Sequence, residues 1–208
     1  MTIIPFKSSF FTVLKDTYAL RQTGQTADGG MSTITERYNG PGAKVFGANL
    51  EGKLSVGRDL NFQAGVTVQR SRYDEPQQWS DDESVEPVRE MFRSPDCYGY
   101  LVACYSPFRN FDIDLSGTYT GPMLVQHMAG SGTDVDRAVR TPSFWDMGCK
   151  LSYEFRIMGI CHLTIHAGVK NIFNAFQKDF DRGELRDSGY IYGPSLPRSI
   201  VMGTALKF

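Results

Sequence analysis

The residues of this sequence with the strongest metal and redox chemistry are its three histidines and four cysteines. Cys161, His162 and His166 lie close together, and both residue types are common zinc ligands. Their segment alternates apolar and polar residues like a β-strand, in which successive side chains point to opposite faces. Cys161 would then point away from the face that His162 and His166 share. Because the sequence also has no Cys-x-x-Cys pair, we predict no metal site and no cofactor.

The cysteines are also candidates for disulfides, whose pairing cannot be read from spacing. They are Cys97, Cys104, Cys149 and Cys161. Cys104 and Cys149 fall in predicted strands at positions that we assign to apolar surroundings. A free thiol at such a position behaves as a small apolar side chain. We therefore expect free cysteines and leave a disulfide open as an alternative.

Motifs for enzymatic chemistry are missing from the sequence. Residues 129–132 read AGSG, which lacks the Gly-x-Ser-x-Gly spacing of a hydrolase nucleophile. The glycines of 39–42 lack the Lys-Ser/Thr pair of a phosphate-binding loop. The acidic run at 81–83 is typical of a solvated loop tip. We predict that the chain is not an enzyme.

The composition favours a β-sheet protein. The 208 residues are 41% hydrophobic and 12% aromatic, with 21 glycines and a formal net charge of -1. Aromatic residues suit strands, and a near-neutral charge gives no reason to expect nucleic acid as a partner. No apolar run approaches the roughly 18 residues of a membrane helix, whereas a spanning strand needs only about 10 alternating residues. The first residues also lack the ordered features of a secretory signal.

Alternation with a period of two recurs along the chain and predicts about eight strands. The clearest strand is LNFQAGVTVQ at 60–69, with one apolar and one polar face. The apolar sets of the clearest strands are Phe46, Ala48, Leu50, Leu54 and Val56; Leu60, Phe62, Ala64, Val66 and Val68; Phe111, Ile113, Leu115 and Tyr119; Met147, Cys149, Leu151, Tyr153 and Phe155; Leu163, Ile165, Ala167 and Val169. The facing of the strands near Phe11 and Tyr100 stays ambiguous.

The connections between these strands alternate strictly between long and short. The short ones are VGRDLN, SPFRN and FRIMGICH, and the four others are long and polar. An antiparallel up-and-down meander with every long loop at one end produces this order. Short turns opposite long loops are typical of an outer-membrane β-barrel. The polar faces carry charges that suit a wet lumen, although a soluble sheet with one solvated face would carry them too.

The end of the sequence resembles the end of TonB-dependent outer-membrane receptors. GVKNIFNAF at 168–176 stands where that family has an Asn-Leu-Phe-Asn-like element, here with Asn171 and Phe173. Pro197 and Arg198 stand where a Pro-Arg pair opens the last strand, and Phe208 is the terminal aromatic residue. Upstream, YNGPGAKVFGANLEG at 38–52 is similar to the family stretch that leads into a Gly-x-Glu-x-Glu strand, with Asn49 replacing the first acidic residue.

The resemblance implies an all-β fold that forms the C-terminal segment of a transmembrane barrel with 22 strands in the family. Residues 1–208 would be a partial barrel domain without the plug domain and the N-terminal strands. It implies energised uptake of an iron-siderophore or cobalamin across the outer membrane of a Gram-negative bacterium. The partners would be outer-membrane lipid, the extracellular metal-chelate or cobalamin, and TonB through the missing plug region. The terminal strand with Phe208 would be read by the outer-membrane insertion machinery.

Four aromatic residues of the long loops are candidates for ligand contact. They are Tyr73, Trp79, Tyr190 and Tyr192. Such residues also form the interfacial aromatic girdle or pack one loop against another. Two alternatives to the receptor stay open. One is a self-contained eight-stranded outer-membrane barrel, and the other is a soluble β-barrel that binds a small apolar ligand.

Overall fold

The computed structural model describes residues 2–14, 17–23, 34–157 and 160–207. The strands are β1 (Thr2–Leu14), β2 (Thr17–Thr23), β3 (Ile34–Gly40), β4 (Ala43–Val56), β5 (Leu60–Gln77), β6 (Val88–Glu90), β7 (Cys97–Phe108), β8 (Phe111–Thr120), β9 (Leu124–His127), β10 (Arg137–Arg140), β11 (Phe144–Ile157), β12 (Cys161–Lys170) and β13 (Ser199–Lys207). In this part of the chain, no helix is long and apolar enough to cross a membrane.

Eight strands form one sheet in the order β1-β4-β5-β7-β8-β11-β12-β13. Each strand pairs antiparallel with the next one in this order, and the short strand β6 pairs with the C-terminal part of β5. Two hairpins, β2-β3 and β9-β10, form small sheets of their own within long connections. The prediction of an all-β antiparallel meander of about eight strands is confirmed.

The long connections all leave the sheet at one end. Leu14 pairs with Ala43, and these two residues flank the long connection between β1 and β4, whereas Val56 pairs with Leu60 across the short turn that follows. The short turns place Gly57 and Asn110 at positive φ, a conformation that glycine and asparagine adopt most readily. The predicted division into a long-loop end and a short-turn end is therefore confirmed.

Strand register carries the two-residue alternation across the whole sheet. Leu50 lies opposite Val66, Leu115 opposite Cys149, and Leu151 opposite Ala167, so the predicted apolar sets share one face. We call this the apolar face and the opposite one the polar face. The apolar face is the more open, since Val66 is 40% exposed and its neighbour Thr67 only 8%.

The register also shows which way the side chains face in the two strands whose facing the sequence left ambiguous. Phe11 pairs with Phe46 and lies on the apolar face. Tyr100 pairs with Gly65 and lies on the polar face, where its ring covers this glycine so closely that a β-carbon would come within 2.6 Å of it. Cys104 pairs with Asn61 and Asp114. Our assignment of Cys104 to apolar surroundings was therefore wrong, because this thiol lies among polar side chains.

Candidate functional site

Aromatic side chains border the apolar face at both of its ends. Towards the long loops, the rings of Tyr119 and Trp145 lie 4.8 Å apart between centroids. Towards the short turns, Phe108 stacks on Phe111 at 4.8 Å. In the same border, Tyr153 and Phe155 lie 4.6 Å apart. Two aromatic girdles that enclose an apolar band are typical of transmembrane barrels.

The spacing of the two girdles fits the thickness of a membrane. On β11, Tyr153 is the eighth residue after Trp145, and Phe155 is the tenth. At about 3.4 Å per residue and a strand tilt of about 40°, these separations correspond to a height of roughly 21–26 Å. The apolar band of outer-membrane barrels is about 25 Å tall. The apolar face can therefore span the hydrocarbon layer of a bilayer.

The polar face pairs its charges between neighbouring strands. Lys150 Nζ lies 2.9 Å from a carboxylate oxygen of Asp114, and His162 Nδ1 lies 2.8 Å from Glu154 Oε1. His162 and His166 point to this face, and Cys161 points to the other, as predicted. Within the described residues, no three His, Cys, Asp or Glu side chains come together as metal ligands, and all four cysteines are free thiols.

The long connections at 78–96, 121–143 and 171–198 pack into one unit, which we call the loop cap. Its buried centre consists of Val125, Tyr190 and Tyr192, together with Phe144 at the start of β11. Ser80 Oγ donates to Asp136 at 2.6 Å, which links the first connection to the second. His127 Nε2 lies 2.9 Å from Asp181 Oδ1, which links the second to the third.

One carboxylate organises the centre of the loop cap. Asp179 accepts hydrogen bonds from the hydroxyls of Tyr190, at 2.6 Å, and Tyr192. Burial alone would raise the pKa of Asp179, but hydrogen bonds from the two phenols, the backbone and Gln177 together hold this pKa below its usual range. Burial and the nearby carboxylate raise the pKa of Tyr192 to about 12 and raise that of Tyr190 further. Both phenols therefore stay neutral donors at physiological pH.

A buried amide and a surface guanidinium complete the loop cap. Gln177, which is 1% exposed, donates from Nε2 to the carbonyl of Tyr190 and accepts from the amide of Tyr192. Arg93 reaches from the first connection to the third, where it donates to the carbonyls of Ile191, at 2.8 Å, and Gly189. Neither residue stands out in the sequence, because only the folded loops bring them to their partners.

The structure brings together only two of the four predicted ligand-contacting aromatic residues. Tyr190 and Tyr192 are 3% and 7% exposed and join the loops to one another. Trp79 lies elsewhere in the cap, where its indole donates to the carbonyl of Glu86 at 3.2 Å. Tyr73 lies on β5, opposite Ala43. Contact of these residues with a ligand stays a prediction.

The Asn-Ile-Phe-Asn element forms a tight turn between β12 and the last long connection. Asn171 is 1% exposed, and its amide nitrogen donates to the carbonyls of Ala175 and Leu196, both at 2.8 Å. Asn174 accepts from the amide of Arg198 at 2.9 Å, just before β13 begins. Both asparagines have positive φ, which asparagine tolerates better than most residues. The element therefore ties the start of the last long connection to its end.

The other members of the predicted barrel-end signature are placed less tightly. The Phe173 side chain is largely exposed. The carbonyl of Pro197 accepts a hydrogen bond from Ser199 Oγ at 2.8 Å. Phe208 lies outside the described residues. The role of this signature in barrel assembly stays a prediction.

Comparisons by sequence find no relative, since no family model and no curated protein matches the chain. Comparisons with solved structures find proteins of similar fold. The ferric-catecholate import receptor Fiu of E. coli K12 matches with a TM-score of 0.63 and 20% identity over 98% of this chain and 25% of the receptor. The chain has the fold of the barrel wall of TonB-dependent outer-membrane receptors. The predicted resemblance is thus confirmed at the level of the fold.

Two further structures of this kind match over nearly the whole chain. A mutant of the ferric enterobactin receptor PfeA of Pseudomonas aeruginosa has a TM-score of 0.64 and 15% identity over 99% of this chain and 29% of its own. The FrpB iron transporter of Neisseria meningitidis has a TM-score of 0.60 and 16% identity over 98% and 29%. All three are Gram-negative outer-membrane transport receptors and not enzymes. The chain spans between a quarter and a third of their length.

Proposed function

We propose that this chain forms eight consecutive strands of the wall of a TonB-dependent outer-membrane receptor that imports a ferric siderophore. The observation that carries the proposal is the apolar face, bounded by two aromatic girdles about 25 Å apart. A sheet with such a face, long interlocked loops at one end and short turns at the other suits a barrel wall with its loops outside the cell.

The choice of a ferric chelate rests on the matched structures. Their descriptions name ferric-catecholate import, ferric enterobactin and iron transport. Cobalamin, the other substrate that the resemblance implied, finds no support in them. The proposed substrate class is therefore a ferric siderophore, which would bind on the side of the loop cap.

Two features of the sheet disfavour the alternatives. In the described residues, β1 and β13 are the two ends of the sheet order and do not pair with each other, as they would in a closed barrel of eight strands. A soluble barrel with an apolar interior would enclose the apolar face. Here side chains of that face such as Leu50 and Leu151 are about half exposed.

The proposal assigns the remaining parts of the receptor to other sequence. Residues 1–208 would be a partial barrel domain, and β1 and β13 would pair with further strands to complete a wall of 22. The plug and its contact with TonB would lie outside this segment. Import by such a receptor would depend on TonB, although no residue described here would touch it.

Uptake of radioactive iron tests the proposal. The gene that contains this segment is expressed in cells whose other ferric-siderophore receptors are deleted, and a ferric catecholate is supplied at nanomolar concentration. We expect uptake that stops when TonB is deleted, with cobalamin uptake unchanged in parallel cells. Uptake of cobalamin without iron would contradict the substrate class. Iron uptake that continues without TonB would contradict energised transport.

A further inference from the structure

Basic side chains continue the apolar face beyond its border towards the long loops. On β4, Lys44 follows Phe46 on this face, and on β5, Arg70 and Arg72 follow Val68. The register places Arg70 opposite Phe46 and Arg72 opposite Lys44. Because paired strand residues share a face, these three cations point in the same direction as the apolar side chains below them.

The height of these cations corresponds to the lipid headgroups. The apolar series of β4 runs from Val56 to Phe46, a separation of ten residues along the strand. At about 3.4 Å per residue and a tilt of about 40°, the series is roughly 26 Å tall and fills the hydrocarbon layer. Arg70 lies opposite Phe46 at this border, and the paired Lys44 and Arg72 come next, so they lie just beyond the hydrocarbon, at the level of the phosphates.

Nearby carboxylates compensate only part of this charge. Lys44 Nζ lies 2.6 Å from Asp74, and Glu90 accepts from both Arg72, at 3.5 Å, and Arg140. The exposed Arg70 adds a further cation. The cations are Lys44, Arg70, Arg72, Arg89 and Arg140, and the carboxylates are Asp74, Glu90 and Asp96. Five positive and three negative charges leave a net charge of +2 on this patch.

Two adjoining hollows make the surface of the patch complementary to an amphipathic ligand. The first, of about 380 Å³, has Phe46 and Val68 in its wall together with Arg70, Arg72 and one carboxylate, Asp96. The second, of about 330 Å³, is lined by Arg72, Glu90 and Arg140 among others. Arg72 borders both hollows. An apolar wall thus lies directly beside a cluster of guanidinium groups.

We propose that this patch binds the phosphate of a lipid in the outer leaflet, with the acyl chains of the lipid covering Phe46 and Val68. Guanidinium groups form paired, charge-assisted hydrogen bonds with phosphate oxygens, and basic clusters at a membrane surface attract anionic headgroups. The proposal goes beyond nutrient uptake, but it rests on the proposed membrane setting of the apolar face.

Lipid binding to the receptor that contains this segment tests the proposal. That receptor, called the parent chain below, is purified in neutral maltoside micelles, and bound lipid is counted by native mass spectrometry. The probes are dioleoylphosphatidic acid and dioleoylglycerol, which differ only in the phosphate. We expect tighter binding of phosphatidic acid and a loss of about 30-fold in the Arg70→Gln/Arg72→Gln variant, since each arginine near a charged surface contributes a factor of about five. Binding of dioleoylglycerol should not change.

A matched control removes the same charge at the other end of the sheet. Arg58 and Arg109 are exposed in the short turns, so Arg58→Gln/Arg109→Gln should bind phosphatidic acid like the parent chain. If the Gln variant of the patch fails to fold by circular dichroism, Arg70→Lys/Arg72→Lys replaces it and should bind phosphatidic acid at least severalfold more weakly than the parent, because lysine cannot form the paired hydrogen bonds.

The remaining outcomes separate the two proposals. Equal losses in the patch variant and the turn control would overturn the lipid site, and so would competition by inorganic phosphate at the same concentration as the lipid. If the parent chain binds dioleoylglycerol as tightly as phosphatidic acid, the lipid site fails and the barrel wall stands. If the parent chain binds neither lipid, the apolar face does not meet lipid and the proposed function fails with it.

Discussion

Replacing Leu151 by arginine places a charge in the middle of the apolar face. Leu151 lies six residues from Trp145 and four from Phe155 on β11, so it is about one residue from the midpoint between the two girdles. Arginine at the midplane of a transmembrane barrel costs about 2–4 kcal/mol. A value of about 3 kcal/mol corresponds to a loss of roughly 100-fold in the folding equilibrium constant. We expect this loss in a urea titration of the receptor that contains this segment, in phospholipid vesicles.

The neighbouring residue supplies the control. Ser152 lies on the same strand but on the polar face, opposite Asp112 of β8. In Ser152→Arg the new guanidinium would meet water and a carboxylate, so the free energy of unfolding should change by less than about 1 kcal/mol. Because β11 lies inside the sheet, neither variant touches an open edge. Equal losses in the two variants, or a larger loss for Ser152→Arg, would refute the assignment of the apolar face to lipid.

Three further predictions concern the loop cap and the polar face. Asn171→Ala should cost about 2–4 kcal/mol, because it removes three hydrogen bonds to the backbone of Ala175 and Leu196 and places alanine at a positive φ. It should also speed amide hydrogen exchange in the turn at 171–175. The pKa values of Tyr190 and of Tyr192 (about 12) are raised, so the folded cap binds these protons more tightly than the unfolded chain, whose tyrosines titrate near 10. The stability of the cap, followed by near-ultraviolet circular dichroism, should therefore fall as pH rises from about 10 to about 12. A stability that does not depend on pH in this range would contradict the burial of the two phenols. In single-cysteine variants, a charged maleimide should label Cys104 faster than Cys149 in vesicles, and the reverse order would exchange the two faces.

The strands could be predicted from the sequence because their signal is local. In β5, every second residue from Leu60 to Val68 is apolar, and this alternation alone identifies the strand and the residues that share a face. β7 shows the limit of this reasoning. Its sequence has apolar or aromatic residues on both faces around Tyr100, so alternation does not indicate which of the two faces is the polar one. Only the ladders to β5 and β8 place Cys104 beside Asp114.

The loop cap could not be predicted, because its contacts join residues far apart in the sequence. Arg93 and Ile191 are 98 residues apart, and His127 and Asp181 are 54 residues apart. No periodicity connects such pairs, and the polar, glycine-rich composition of the loops indicated only that they were loops. The sequence identified Tyr190 and Tyr192 as notable aromatic residues. Their shared carboxylate, Asp179, was recognisable only once the fold had brought it between them.

The two outer strands connect the geometry of the sheet to the proposed receptor. Each backbone donor or acceptor left unpaired in hydrocarbon costs several kcal/mol, so a sheet that spans a bilayer needs a partner along both edges. In the described residues, β1 and β13 each pair on one side only. Ile200 and Met202 of β13 are also among the most exposed apolar side chains of the sheet. Pairing with further strands would satisfy both edges, which is why we place this sheet within a larger barrel wall.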